Sequence, residues 1–174
     1  PLPPLVRAAL VHAQFETIHP YLDGNGRIGR LLVALLLAHW GLLSRPLLYL
    51  SLFFKQRRAE YYDRLGRVRT DGDWEGWTAF FLEGVATTAE EAVRDARSLF
   101  ALVAQDRTRL LGSAGVSVST LRLFETLPRH PVVTLASVVR LLRTTKPTAA
   151  SAIAGLEKAG ILSETTGRQR DRVF

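Results

Sequence analysis

Cysteine and methionine are both absent from the 174 residues. Without cysteine there is no disulfide framework, no thiolate-held zinc and no thiol nucleophile. A reducing compartment is compatible with that. Long apolar runs are missing too: the longest, Leu31 to Ala38, is too short to span a bilayer. No basic segment leads an apolar stretch at the start, so no secretory signal is expected, and a cytoplasmic protein is. The chain opens Pro-Leu-Pro-Pro rather than with Met, and a piece of a longer chain is expected. No histidine pair has the spacing of a helical zinc-protease site. Strand-like alternation is missing before residue 115. What is present is 47% apolar and 22% charged residues, an ordinary foldable composition that excludes wholesale disorder.

Acidic residues are in deficit. The net charge is +7, with 14 Lys and Arg against 12 Asp and Glu in residues 1–116, and 9 against 4 in residues 117–174. Such a balance favours an anionic partner, whether nucleotide, nucleic acid or acidic protein. The small-residue stretch Gly112-Ser113-Ala114-Gly115 reads as a linker. We therefore expect a helical part over 1–111 with a linking helix from about 90 to 111, a linker over 112–118, and a second domain over 119–174.

In the first part, Val6, Ala9, Leu10, Ala13 and Thr17 recur at helical spacing over Leu5 to Ile18. Arg27 to Trp40 is strongly apolar and stops at Gly41, a residue suited to a helix C-terminus. Leu50 to Val68 reads as one mixed helix, and Trp74 to Ala89 and Glu90 to Leu111 continue the helical pattern. Trp40, Trp74 and Trp77 read as core. Arg57 and Arg58 read as a solvated helix face, and His12, His39 and His130 as structural. In the second part, Ser119 to Leu127, Leu135 to Arg143 and Pro147 to Ala159 read as helices. Ile161 to Thr165 and Arg170 to Phe174 read as two short strands. That order, helix, helix-turn-helix and hairpin, is the order of a small α+β winged helix.

The chemistry concentrates in residues 19–30, His-Pro-Tyr-Leu-Asp-Gly-Asn-Gly-Arg-Ile-Gly-Arg. Gly24-Asn25-Gly26 stands just before the strong helix. Glycine lets backbone come close to a ligand, and the free N–H groups of a helix start favour an anion. Arg27 and Arg30, three apart, lie on one face of the first turn. Two guanidinium forks beside an N–H nest suit a polyphosphate better than a single carboxylate. Asp23 adds a hard oxygen ligand for Mg²⁺ shared with phosphate oxygens, or else serves as a turn or N-cap residue. His19 is a general-base candidate. Together these residues point to phosphoryl or nucleotidyl transfer from a Mg-nucleotide.

This segment resembles the signature of the Fic (filamentation induced by cAMP) family, His-x-Phe-x-(Asp/Glu)-Gly-Asn-Gly-Arg-x-x-Arg. Tyr21 stands where Phe is usual, and that aromatic is expected to pack in the core. Leu47 to Ala86, with Lys55-Gln56-Arg57-Arg58, Tyr61-Tyr62 and Thr70-Asp71-Gly72-Asp73-Trp74, resembles the helices that follow the motif in bacterial Fic proteins. The tail resembles the winged helix often attached to them. The resemblance implies a mainly α, Fic-type helical core and transfer of AMP from ATP to a Ser, Thr or Tyr hydroxyl of a target protein. It further implies that His19 takes the hydroxyl proton and that Asp23 holds Mg²⁺. Gly24, Asn25 and Gly26 form the anion hole for the α-phosphate, Arg27 binds the β-phosphate region, and Arg30 reaches the γ-phosphate. Asn25 and Arg27 count with His19 as catalytic. Tyr61 and Tyr62 resemble the paired tyrosines near the adenine pocket, or are plain core aromatics.

The family's target-aligning flap and its inhibitory helix, marked (Ser/Thr)-x-x-x-Glu-(Gly/Asn), lie upstream of the motif. Eighteen residues precede His19, too few for both, so the fragment is expected to bind nucleotide yet modify targets poorly. Thr87 to Glu91 fails the inhibitory pattern at Ala92. Other readings stay open: transfer of UMP, phosphate or phosphocholine; a nucleotide-sensing DNA-binding regulator; an interaction module; a homodimer. For DNA, the evident contacts are Lys146, Thr148 and Ser151 on an Ala-rich helix, Lys158 at its end, and Arg168, Arg170 and Arg172 in the wing. Three Lys among 23 basic residues hint at a GC-rich bacterial source.

Overall fold

The computed structural model describes residues 2–44, 48–113 and 115–174. Leu47, where the extended resemblance begins, and Ala114, inside the expected linker, lie outside them. The described residues are mainly helical: α1 (Pro4–Ile18), α2 (Asn25–His39), α3 (Leu50–Gln56), α4 (Arg58–Thr70), α5 (Trp74–Leu111), α6 (Val118–Thr126), α7 (Leu135–Leu142) and α8 (Lys146–Lys158). None is long and apolar enough to cross a membrane. The chain divides into two compact units, Pro1–Ala96 and Arg97–Phe174.

In the first unit, α1 is lined by Ala8, Ala9 and Ala13, all fully buried. Such small side chains let neighbouring helices come close. α2 is amphipathic, burying Val33 and Leu37, and ends as its sequence implies. Gly41 takes φ +72, and Leu42 N–H bonds back to the Leu37 carbonyl at 2.9 Å, satisfying a carbonyl the helix leaves over. Gly29 matters at the α1–α2 contact, because a Cβ there would overlap Glu16 Oε1 and press on Phe15 and His12. An aromatic core of Phe53, Phe54, Tyr61, Trp77, Phe80 and Phe81 fills the space among α3, α4 and α5.

The expected single helix over Leu50 to Val68 is two. Arg57 (φ −105, ψ 41) leaves helical geometry between α3 and α4. Conversely, Trp74 to Leu111 is one helix. Its start is fixed by Asp73, whose Oδ1 accepts the Gly76 N–H at 2.9 Å and whose Oδ2 meets Arg67 at 2.8 Å. We expect Asp73→Ala to cost about 1 kcal/mol, as lost N-caps do. Asp73→Asn, which keeps the cap, should cost less. Urea midpoints of the two variants check this. Trp74, expected in the core, is 37% exposed at the helix start, whereas Trp77, one turn on, is fully buried.

In the second unit, Ser117 caps α6 through the Thr120 N–H at 3.1 Å. Thr134 and Ser137 form a reciprocal capping box on α7. α7 ends on Arg143 in the left-handed region (φ 50), and α8 begins three residues later. Leu123, Val138, Ala149, Ala152 and Leu156 are fully buried between the three helices. The two expected strands do not form among the described residues. One antiparallel bridge, Thr134 to Val173, stands in their place, with Val133 and Phe174 exchanging backbone bonds of 2.8 and 2.9 Å and Thr165 N–H reaching Val173 at 2.9 Å. Positive φ at Gly167 and Asp171 interrupts the ladder. The Glu164 carboxylate instead gathers the Thr166 hydroxyl and the N–H groups of Thr166 and Gly167 into a turn. These bonds, the Thr166 hydroxyl first, hold the carboxyl below its usual pKa.

Candidate functional site

The signature occupies the turn from α1 into α2. His19 closes α1: its N–H bonds to the Phe15 carbonyl at 2.9 Å, and it sits in the left-handed region (φ 50, ψ 57), where His, Asn and Asp are tolerated better than most residues. Its side chain is exposed. Gly24, at φ +83, is the N-cap of α2, a conformation that favours glycine. Asp23 therefore precedes the cap rather than forming it. Asp23 Oδ1 accepts the Gly24 N–H at 2.6 Å, and its Oδ2 lies 3.3 Å from the Arg27 guanidinium.

Asn25 holds the turn together. Its side chain, almost fully buried, accepts the Tyr21 N–H at 2.9 Å and donates to the Tyr21 carbonyl at 2.5 Å. Both amide ends are thus spent on the loop, and what Asn25 can offer an anion is its backbone N–H. The Gly24 carbonyl takes the N–H groups of Arg27 and Ile28 at 3.0 Å. Among the described hydrogen bonds, the N–H groups of Asn25 and Gly26 have no acceptor. Tyr21 was expected in the core. It is 53% exposed, because Asn25 fixes its backbone on the outer side of the turn, and its ring leans on Phe15 with centroids 6.4 Å apart.

Behind the turn, α1, α2 and α4 meet at His12. The Gly29 carbonyl lies 3.1 Å from Nδ1 and can only accept, so Nδ1 carries the proton. Nε2 then accepts from the Tyr61 hydroxyl at 3.0 Å. The ring is stacked between Phe54 and Trp77. Burial lowers its pKa from 6.5 to about 4; the Gly29 bond opposes this and Arg30 adds to it. The sequence reading of His12 as structural did not identify this three-helix junction. Its one sequence signal was a polar residue between buried alanines.

A prediction follows from the sign. Above pH 6.5 His12 is neutral folded or unfolded. As pH falls from 6.5 to about 4, the unfolded chain binds a proton that the folded one refuses, so stability declines through that window, by about 3 kcal/mol in total. Glu16 works the other way. Burial raises its pKa, against the influence of His19, Arg30 and Arg69, so the folded state holds a proton longer and loses stability as pH rises. Denaturation midpoints between pH 7 and 4.5 for the native chain and His12→Gln isolate the histidine; the variant should lose the decline.

Arg27 is largely exposed, while Arg30 is partly buried and lines two cavities of about 370 and 500 Å³ that share Arg30, Tyr49 and Ser51. Tyr61 and Tyr62 both line the larger one. Tyr61 is pinned, 4% exposed, its hydroxyl committed to His12. Tyr62 is open, packed edge-on against Tyr61 at 5.2 Å. In the second unit, Lys146 and Arg170 line a groove of about 820 Å³ with Leu135, Val139 and Ile153, and Thr148, Ser151 and Arg168 fall outside its lining.

The signature thus forms a turn that ends in a glycine-capped helix, with Arg27 on the first turn of α2 and Arg30 on the second, beside an exposed histidine. Residues 1–37 match the Fic/DOC family. The chain is also similar to proteins named protein adenylyltransferase Fic. It is 35% identical over 89 residues to that of Drosophila grimshawi, covering 51% of this chain and 17% of the relative. It is 36% identical over 87 residues to that of Aedes aegypti, covering 50% and 16%. The chain thus spans about a sixth of the length of these relatives.

Proposed function

We propose that the chain transfers AMP from Mg-ATP to a Ser, Thr or Tyr hydroxyl of a target protein. The observation that carries this reading is the turn locked by Asn25, which sets an exposed His19 at one end and free N–H groups at the start of α2 at the other. The α-phosphate takes the N–H groups of Asn25 and Gly26, held open by the left-handed Gly24. Arg27 serves the β-phosphate and Arg30 the γ-phosphate. His19 accepts the proton of the target hydroxyl as its oxygen bonds to the α-phosphorus. The bond to the β-phosphate oxygen breaks, and pyrophosphate leaves. Tyr62 offers an open face for the base.

Asp23 fits Mg²⁺ as a single exposed carboxylate of the kind that shares this ion with phosphates and water. Among the described residues no group of three or more His, Asp or Glu could hold a metal, which leaves most ligands to come from the nucleotide. Mg²⁺ there would neutralise phosphate charge, and Asp23 would then release Arg27 toward the β-phosphate.

The test is incubation with Mg²⁺ and α-labelled ATP, following the mass of the chain and label on lysate proteins. Gain of one AMP supports the reading. Label from UTP, from γ-labelled ATP or from a phosphocholine donor instead would assign the same turn to another group. Absence of label on the chain and on every lysate protein would overturn it.

A second reading concerns the other unit. Arg97–Phe174 carries 12 Lys and Arg against 5 Asp and Glu, while Pro1–Ala96 carries 11 of each. The whole excess of charge therefore lies in this second unit, +2 on the end of α5 and +5 on α6, α7, α8 and the bridged C-terminus, which we read as a winged helix. Duplex DNA is its proposed partner. Affinity should fall steeply with salt, and Arg168→Ala with Arg170→Ala should reduce the slope by about 0.9 for each phosphate contact removed. Anisotropy titrations with a labelled duplex measure this.

A further inference from the structure

The cavity of about 500 Å³ on the first unit is walled by Arg30, Lys55 and Arg58 with Ser51, Tyr49 and Tyr62, and its lining contains no carboxylate. Acidic and basic residues balance over this unit as a whole. Three nearby arginines are matched: Arg57, between α3 and α4, lies 2.6 Å from Glu83, and on α4 Arg64 lies 3.4 Å from Glu60 and Arg67 2.8 Å from Asp73. Among the described residues, Arg30, Lys55 and Arg58 have no carboxylate within 4.0 Å.

The break at Arg57 turns the last turn of α3 and the first residue of α4 toward the same space. Lys55 is well placed at a helix C-terminal turn. Arg58 is not: it opens α4, where the helix dipole disfavours a cation. Its guanidinium lies 5.6 Å from the centre of the Tyr62 ring, which orients it without neutralising it. Three unmatched cations converging on one cavity, with hydroxyls and an aromatic wall, form a setting that an anion completes.

We propose that this cavity is a phosphate-binding subsite, distinct from the N–H nest at Gly24 to Gly26 and joined to it through Arg30. Lys55 and Arg58 are then specificity-determining residues for a ligand that carries phosphate beyond the group held at the nest. Assigning that ligand to the transfer reaction rests on the AMP-transfer reading; the subsite itself rests only on the cavity. Two sources supply the same chemistry: the terminal phosphate of a linear triphosphate, or a phosphate on the ribose of a nucleotide whose base faces Tyr62.

The experiment is calorimetry on the full chain with inorganic tripolyphosphate at fixed ionic strength. Lys55→Ala/Arg58→Ala is compared with Arg64→Ala/Arg94→Ala, which removes the same charge elsewhere. We expect the first pair to weaken tripolyphosphate at least tenfold and the second to change it less than twofold. Equal affinity in the native chain and the first variant, or equal losses in both variants, overturns the proposal. ATP, ADP and adenosine 3′,5′-bisphosphate then separate the sources. Loss confined to ATP places the terminal phosphate in the cavity; loss confined to the bisphosphate places the ribose phosphate there; loss of neither overturns the proposal for nucleotides. If tripolyphosphate behaves as expected while no AMP is transferred, the transfer reading fails and the subsite stands.

Discussion

His19→Ala is expected to lower AMP transfer by about 10²- to 10⁴-fold, the usual worth of a positioned general base, with ATP affinity within twofold of the native chain. The position has a second duty that must be separated from the first. His19 caps α1 in the left-handed region (φ 50), and a change there could act through the turn alone. Asparagine separates the two. It tolerates the same backbone but has no basic nitrogen to receive a proton. Both His19→Ala and His19→Asn should therefore lose transfer, while His19→Asn keeps the native circular dichroism and melting midpoint. Recovery of transfer in His19→Asn would reduce His19 to a capping residue and remove the general base from the proposed mechanism. The measurement is single-turnover label transfer at saturating Mg-ATP.

The parts of this structure that local chemistry dictates were legible in the sequence. α1, α2, α6, α7 and α8 fall within a residue or two of where apolar spacing put them. Gly41 ends α2 as read, and Gly24 takes the positive φ its place before the helix suggested. What was missed depends on distant partners. Nothing local breaks Leu50 to Val68. The chain bends at Arg57, and α3 and α4 then both turn aromatics into one core. Ile161 to Thr165 and Arg170 to Phe174 were read as two short strands, but Gly167 and Asp171 take left-handed geometry and only Val133 and Phe174 exchange both backbone bonds. Tyr21 was assigned inward by resemblance to a Phe, and the Asn25 clamp holds it outside. The same clamp shows that an invariant-looking motif residue can serve the loop with its side chain and a ligand with its backbone, a division no sequence pattern displays. Arg58 looked like any solvated helix residue until the bend placed it on a cavity.

The largest loss of stability is expected at Trp77. It is fully buried, and its indole N–H donates to the Ala9 carbonyl at 2.8 Å. Its ring lies about 6 Å from those of His12, Phe54, Tyr61, Phe80 and Phe81. Trp77→Ala removes that packing and the second hydrogen bond that the Ala9 carbonyl accepts beside its bond within α1, so about 3–5 kcal/mol should be lost. Trp77→Phe keeps most of the volume and forfeits the hydrogen bond, which should cost about 1–3 kcal/mol. The consequence reaches the site because Ala9 and His12 lie on the helix that His19 terminates. A softened α1 frees the His12 bond to Gly29 and with it the seating of α2 behind the nest. Amide exchange distinguishes this from a general weakening. In Trp77→Phe, exchange should accelerate at Phe15 to His19 and at the start of α2, while Leu123 and Leu156, in a hydrophobic cluster that shares no residue with that of Trp77, keep their protection. Uniform acceleration across both clusters would show that Trp77 supports the whole chain rather than the platform beneath the site.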